Sequence, residues 1–231
     1  MRALCLLGLT GVLISSGTEV PIPVMDCCGM TAAQGRKPPA DKSPWDLAPH
    51  GSVKGTVTFP PGKTPSYPLV VYLECAKGEE LAFDAKDEKL VISQEGAAFN
   101  PSFAAIRKGT SVTFRNNEDR QIDHNVYTLG AEQKDLGIYS QGIDFSHQFD
   151  APGEINLHCS IHKFMDGKLF VAPNPAFHAL EQGTTSFQIP QVPAGKYTLN
   201  TYQVTKRFRD VPREIVVEAG KETSVSIEMK R

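Results

Sequence analysis

Leu157-His158-Cys159-Ser160-Ile161-His162-Lys163-Phe164-Met165 decides the reading of this chain. A histidine follows Cys159 by three residues, and a methionine follows that histidine by three more. Just upstream, Glu154 to Cys159 reads as a strand after the turn Asp150 to Gly153. Successive strand residues face opposite sides, so Ile155, Leu157 and Cys159 share one face, taken as inward. Asn156 and His158 share the other, which makes His158 an outward residue rather than a ligand. His162 and Met165 then fall in a loop, and Gly167 to Val171 reads as the return strand. Farther upstream, the polar run Asn117 to Asp123 leads into His124-Asn125-Val126.

A thiolate, an imidazole and a thioether are soft or borderline ligands. Two imidazoles and a thiolate in a trigonal set, with a weak axial methionine, describe a blue-copper site. We expect His124, Cys159, His162 and Met165 to hold one type 1 copper. Binding requires the thiol deprotonated and the imidazoles neutral. Three ligands on one tight loop and the fourth at a separate strand end let the sheet hold the geometry. Zinc also accepts Cys and His, but a single loop cysteine and a methionine favour copper.

Around this motif the chain reads as all-β. Pro and Gly are frequent, short β-branched and aromatic runs alternate with turn residues, and no stretch sustains a helical period. With 24 Lys and Arg against 26 Asp and Glu, the charge is balanced, so no general attraction to nucleic acid or acidic membranes is implied. Arg2, the apolar run Ala3 to Ile14 and the small residues Ser15, Ser16 and Gly17 fit a secretory signal at 1–17. The run is short for a transmembrane helix, so membrane association would be confined to the N-terminus. The expected location is periplasmic or secreted. Cys27, Cys28 and Cys75 remain once Cys5 and Cys159 are set aside, which allows one disulfide and one leftover thiol.

Residues 18–50, rich in Pro, Lys, Ala and Asp, read as a flexible linker. Val53, Gly55, Val57 and Phe59 then alternate with polar residues, as do Leu69, Val71, Leu73 and Cys75, giving two strands of a half-buried sheet. The charged segment Lys77 to Lys89 interrupts the pattern. Strands resume at Leu90 to Ile92 and at Gly109 to Asn116, with Val112 and Phe114 on one face. Beyond Pro175, Phe187 and Ile189, then Tyr197, Leu199 and Thr201, then Ile215 and Val217, and finally Val225, Ile227 and Met229 mark further strands.

Leu90 to Val171 resembles the cupredoxins, the small blue copper proteins. The matching pieces are Phe99-Asn100-Pro101, Ile106 to Asn116, His124-Asn125-Val126, Ala151-Pro152-Gly153 and the Cys159-x2-His162-x2-Met165 loop, which is similar to the short amicyanin type. The resemblance implies a Greek-key β-sandwich at 84–174. It assigns His124, Cys159 and His162 as strong ligands and Met165 as the axial one. It gives Asn125 a hydrogen-bonding role near the thiolate. The chain departs from the pattern in a longer, more charged loop before His124, in Lys163 where many members have proline, and in His158 beside the ligand cysteine. Val53 to Cys75, Thr185 to Leu199 and Val217 to Ile227 resemble a transthyretin-like, carboxypeptidase-regulatory β-sandwich. Two arrangements fit. In the one we expect, that module is split over 51–78 and 176–231 with the cupredoxin inserted after its second strand. In the other, two domains are consecutive and Gly51 to Cys75 supplies the cupredoxin's first strands.

The implied function is single-electron transfer between exported partners such as a cytochrome or a dehydrogenase. His162 would be the exit edge, and Phe164 part of an apolar docking patch. A copper oxidoreductase would need a second copper site, and His50, His147, His158 and His178 stand in unrelated contexts. A dinuclear centre would need a second loop cysteine. Copper storage or delivery is the alternative, using Cys27, Cys28, Met30 and His158. A metal-free adhesion or sugar-binding sandwich is the remaining reading.

Overall fold

The computed structural model describes residues 42–230, apart from 64–66, 78–79, 86–87 and 210–211. The expected signal segment, Cys27 and Cys28 lie outside the described residues. A single turn of helix, α1 (Pro44–Leu47), precedes β1 (His50–Thr58) and β2 (Leu69–Cys75). Next come β3 (Lys89–Glu95), β4 (Ala98–Asn100), β5 (Phe103–Arg107), β6 (Thr110–Asn116), β7 (His124–Gly130), β8 (Lys134–Tyr139), β9 (Asp144–Phe149), β10 (Gly153–His158) and β11 (Asp166–Ala172). The chain closes with β12 (Phe177–Leu180), β13 (Ser186–Pro193), β14 (Gly195–Gln203), β15 (Arg213–Val217) and β16 (Glu222–Glu228). The all-β reading holds.

These strands form four sheets. Strands β3 to β11 make two of them, ordered β4-β3-β6-β9 and β5-β11-β10-β7-β8. Ile92, Val112, Phe114, Val126, Phe149, Ile155, Leu157, Leu169 and Val171 fill one core between them. The early and late strands make the other two, ordered β13-β1-β16 and β12-β2-β14-β15. Val53, Val57, Leu69, Val71, Leu73, Phe187, Ile189, Tyr197, Leu199 and Ile227 lie in a second core. Burying alternate apolar residues from two facing sheets is the main favourable term in each sandwich.

Two expectations change. Residues 42–50 are not linker. Ser43 and Asp46 form a capping box around α1, and Trp45 is buried in the second core, edge-on to Phe83. One indole anchors a segment whose composition is otherwise that of a loop. Strand β2 is also not half-buried. Leu69, Val71 and Leu73 face the second core, while Val70 is buried on the opposite side among Phe170, Ala172 and Tyr202. A third apolar cluster therefore joins the two sandwiches.

In that junction Phe170 stacks on Tyr202 with ring centroids 4.4 Å apart and packs against Tyr72 at 4.9 Å. Aromatic pairs at these distances add to the area they bury. Strand β11 is consequently covered on both faces, by Leu169 and Val171 on one side and Phe170 and Ala172 on the other. The run Lys168 to Ala172 reads accordingly as nearly continuous apolar sequence. The Tyr202 hydroxyl donates to Glu154 Oε2 at 2.6 Å, tying β14 to β10. Burial pushes the Glu154 carboxyl up, but the Tyr202 hydroxyl and the ammonium groups of Lys168 and Lys206 outweigh it and hold it below its ordinary value.

A carboxyl depressed on folding contributes stability that is complete above its unfolded pKa and lost as pH falls through the folded one. Tyr202→Phe should therefore cost about 1.5–3 kcal/mol at neutral pH, the range for a hydrogen bond to a charged group. The gap from the parent should shrink as pH falls below the ordinary carboxylate range, about 4. Urea unfolding at neutral and acid pH measures both.

Candidate metal centre

The site lies where β7 begins and β10 ends. These strands pair antiparallel, with Leu157 opposite Thr128 and His158 opposite Tyr127. Continuing that register beyond His158 carries Cys159 alongside the first residues of β7. Strand β10 pairs with β11 through Leu157 opposite Gly167 and His158 opposite Asp166, so the intervening loop must turn back over the start of β7. The Met165 N–H donates to the His162 carbonyl at 3.0 Å and tightens the turn.

The result is a compact donor set. Ligand atoms of His124, Cys159 and His162 lie within 4.8 Å of one another. Cys159 Sγ is 3.7 Å from His162 Nδ1, and the two imidazole rings are 4.8 Å apart. Cys159 is buried and is a free thiol. His124 is 0% exposed. Met165 is buried in the same core cluster as Cys159, whereas His162 is partly exposed. Phe164 is 95% exposed and its neighbour Ile161 is also exposed.

Two features suit this group to holding a metal ion. His124 Nε2 sits 2.9 Å from Glu118 Oε1, whereas its Nδ1 is buried without a partner. A carboxylate on one ring nitrogen fixes the tautomer that leaves the other with its lone pair free, as in many metal-binding histidines. An orphaned buried nitrogen beside a free buried thiol fits a metal ion. Glu118 is itself positioned, receiving N–H donation from Ala97 at 3.4 Å and using its own N–H on Asn116 Oδ1 at 3.3 Å. Burial raises its pKa, but the bonds to His124, Gly96 and Ala97 prevail and hold it below the ordinary value.

Asn125 ties the two halves together. Its backbone N–H points at Cys159 Sγ at 3.4 Å, and its Oδ1 accepts from the Ser160 N–H at 3.1 Å. Its Nδ2 donates to Asp135 Oδ1 at 2.8 Å and to the Gly137 carbonyl at 2.9 Å. One amide thereby links β7, β8 and the ligand loop. His158 faces away, with Nδ1 2.7 Å from Asp166 Oδ1 and its ring against Tyr127. The sequence reading missed Glu118. A glutamate six residues before the histidine in a charged run carries no periodic signal, and its burial arises only when the turn at Gly96 and Ala97 closes on it.

No family model matches the chain, and no curated protein matches it. Among solved structures, it is similar to a purple cupredoxin from Nitrosopumilus maritimus, at 22% identity over 36% of this chain and 99% of that one, TM-score 0.33. It is similar to the reduced form of an amicyanin variant at 24% identity over 37% of this chain and 83% of that one, TM-score 0.33. A copper-containing nitrite reductase from Thermus scotoductus matches at 22% identity over 51% of this chain and 28% of that one, TM-score 0.36.

Asn125→Ala removes the side-chain bonds to the Ser160 N–H, to Asp135 and to the Gly137 carbonyl, while Asp135 keeps the Gly137 N–H. The metal-free variant should lose about 0.5–1.5 kcal/mol, the net worth of an ordinary hydrogen bond, measured by urea unfolding.

Proposed function

We propose that this chain is an exported cupredoxin-type protein that holds one type 1 copper and carries single electrons between redox partners. The observation that carries the reading is the convergence of Cys159, His124 and His162, with a buried His124 Nδ1 that has no partner. In this reading those three residues are the strong ligands and Met165 the axial one. A copper ion so held supplies a one-electron couple. The chain's own part is to keep the ligands in place between oxidation states. Glu118 holds the His124 ring, Asn125 holds Ser160 against β7, and β11 is gripped on both faces directly after the ligand loop. A donor set that does not move needs little reorganisation when charge changes.

His162 is the partly exposed ligand, and the exposed Phe164 and Ile161 flank it. They suit an apolar contact with an exported cytochrome or dehydrogenase, the electron passing through the imidazole edge. The strands outside β3 to β11 form the split transthyretin-like module of this proposal, which grips β11 and serves as scaffold. Cys75 is disulfide-bonded, a state that persists in oxidising compartments and accords with export. Among the described residues no helix is long and apolar enough to cross a membrane.

Adding Cu(II) to the purified protein should give an intense thiolate-to-copper absorption band and narrow copper hyperfine splitting in the electron paramagnetic resonance spectrum. Cys159→Ser should abolish the band and leave the strands intact by circular dichroism; an unchanged visible spectrum would remove Cys159 from the ligand set. Met165→Leu should retain copper and raise the reduction potential. A potential and spectrum that both stay put would mean that Met165 is not the axial ligand.

A further inference from the structure

Two acidic residues stand side by side ahead of His124, and only one is taken out of water. The Glu118 side chain is 6% exposed, whereas that of Asp119 is 87% exposed and lies 3.9 Å from Arg120. Glu118 Oε1 sits 2.9 Å from His124 Nε2 and accepts from the Ala97 N–H at 3.4 Å. That N–H belongs to an unusual turn. Gly96 and Ala97 have φ of 60° and 55° and join β3 to β4, where Glu95 pairs with Ala98. Two consecutive positive φ values suit a type I′ hairpin turn, whose second central residue is normally glycine. An alanine there is strained. The Glu118 main chain is fixed as well, its N–H on Asn116 Oδ1 at 3.3 Å and its carbonyl under Gln141 Nε2 at 2.8 Å.

A neutral oxygen, such as a glutamine carboxamide, would hold the His124 ring in the same tautomer. A buried carboxylate costs much more to keep, so its charge calls for an explanation of its own. Among the described residues no lysine or arginine pairs with it; its ionic contact is the His124 imidazole. The charge therefore stands one imidazole ring away from the unpartnered His124 Nδ1. A carboxylate on the far nitrogen raises the basicity of a ligating histidine. Away from water its field is also poorly screened. Both effects favour the more highly charged of two metal oxidation states.

We propose that Glu118 is a positioning residue whose buried negative charge, acting through the His124 imidazole, lowers the reduction potential of the centre. The β3–β4 turn presents the Ala97 N–H to the carboxylate and holds it against the ring. The charge stabilises Cu(II) more than Cu(I), because Cu(II) carries one more positive charge. Asp119, next in the chain, has no such effect, because water and salt screen it. The inference rests on the electron-carrier reading and deepens it.

The test uses the full copper-loaded protein and spectroelectrochemical titration. Glu118→Gln keeps the size of the side chain and an acceptor for the His124 N–H while removing the charge. It should shift the Cu(I)/Cu(II) ratio at a fixed applied potential about tenfold toward Cu(I), a rise of ~59 mV for a one-electron couple. Chelator competition should return the same factor, with affinity for Cu(II) falling about tenfold more than affinity for Cu(I). A residue that merely held the ring in place would cost both ions alike. Glu118→Asp keeps the charge and should stay nearer the parent's potential, and Asp119→Asn should stay close to it. A blue Glu118→Gln protein at an unchanged or lower potential overturns the proposal and leaves the electron-carrier reading standing. Equal losses of the two affinities, or a shift on Glu118→Asp or Asp119→Asn as large as that on Glu118→Gln, overturn it too. A parent without the thiolate-to-copper band overturns both readings.

Discussion

The antiparallel pairing of β7 with β10 is the constraint on which the candidate centre depends. His124 and Cys159 are separated by 35 positions in sequence and become neighbours only because His158 stands opposite Tyr127. A slip of one residue would turn Cys159 outward and carry the sulfur away from the imidazole, since strand side chains alternate with period two. The register is protected by what it buries. Ile155 and Leu157 on β10 and Val126 on β7 fill the core beneath the site, and a slip would expose all of them. Hydrophobic burial, which has no directional preference of its own, in this way determines the position of polar ligand atoms.

Around that pairing the polar groups are arranged in layers. Glu118 addresses the far nitrogen of His124, and Asn125 addresses the sulfur and the loop through its backbone and side chain. Neither could be replaced by a surface residue of the same type, because screening by water would weaken its effect. The junction between the two sandwiches extends the same logic outward. The Phe170 and Tyr202 rings and the Tyr202 to Glu154 hydrogen bond load the strands on either side of the ligand loop. Stiffness of the second sandwich is thereby passed to β10 and β11, the strands that launch and receive the loop.

Local chemistry made some of this legible in advance. The alternation of Ile155, Leu157 and Cys159 placed the thiol inward and His158 outward, because period two is a property of the backbone. The strands with one apolar face, such as β6 and β14, were visible for the same reason. Strands β8 and β9 were not. Their side chains are mostly exposed, so no apolar alternation marks them, and only their pairing with β7 and β6 makes them strands. Trp45 was assigned to a linker because the composition around it is that of a loop. A single large side chain finding a core is a tertiary event, invisible to any local average.

By itself the sequence determined the donor types and their spacing, the β character and the inward face of the ligand strand. Each is set by covalent chemistry or by a two-residue period. Tertiary structure alone decided that Glu118 and Gln94 are buried, that β2 and β11 are covered on both faces, and that Asn125 lies beside the sulfur. The reason is physical: burial and electrostatic environment belong to surfaces brought together from distant parts of the chain, and no residue carries that information until those surfaces meet.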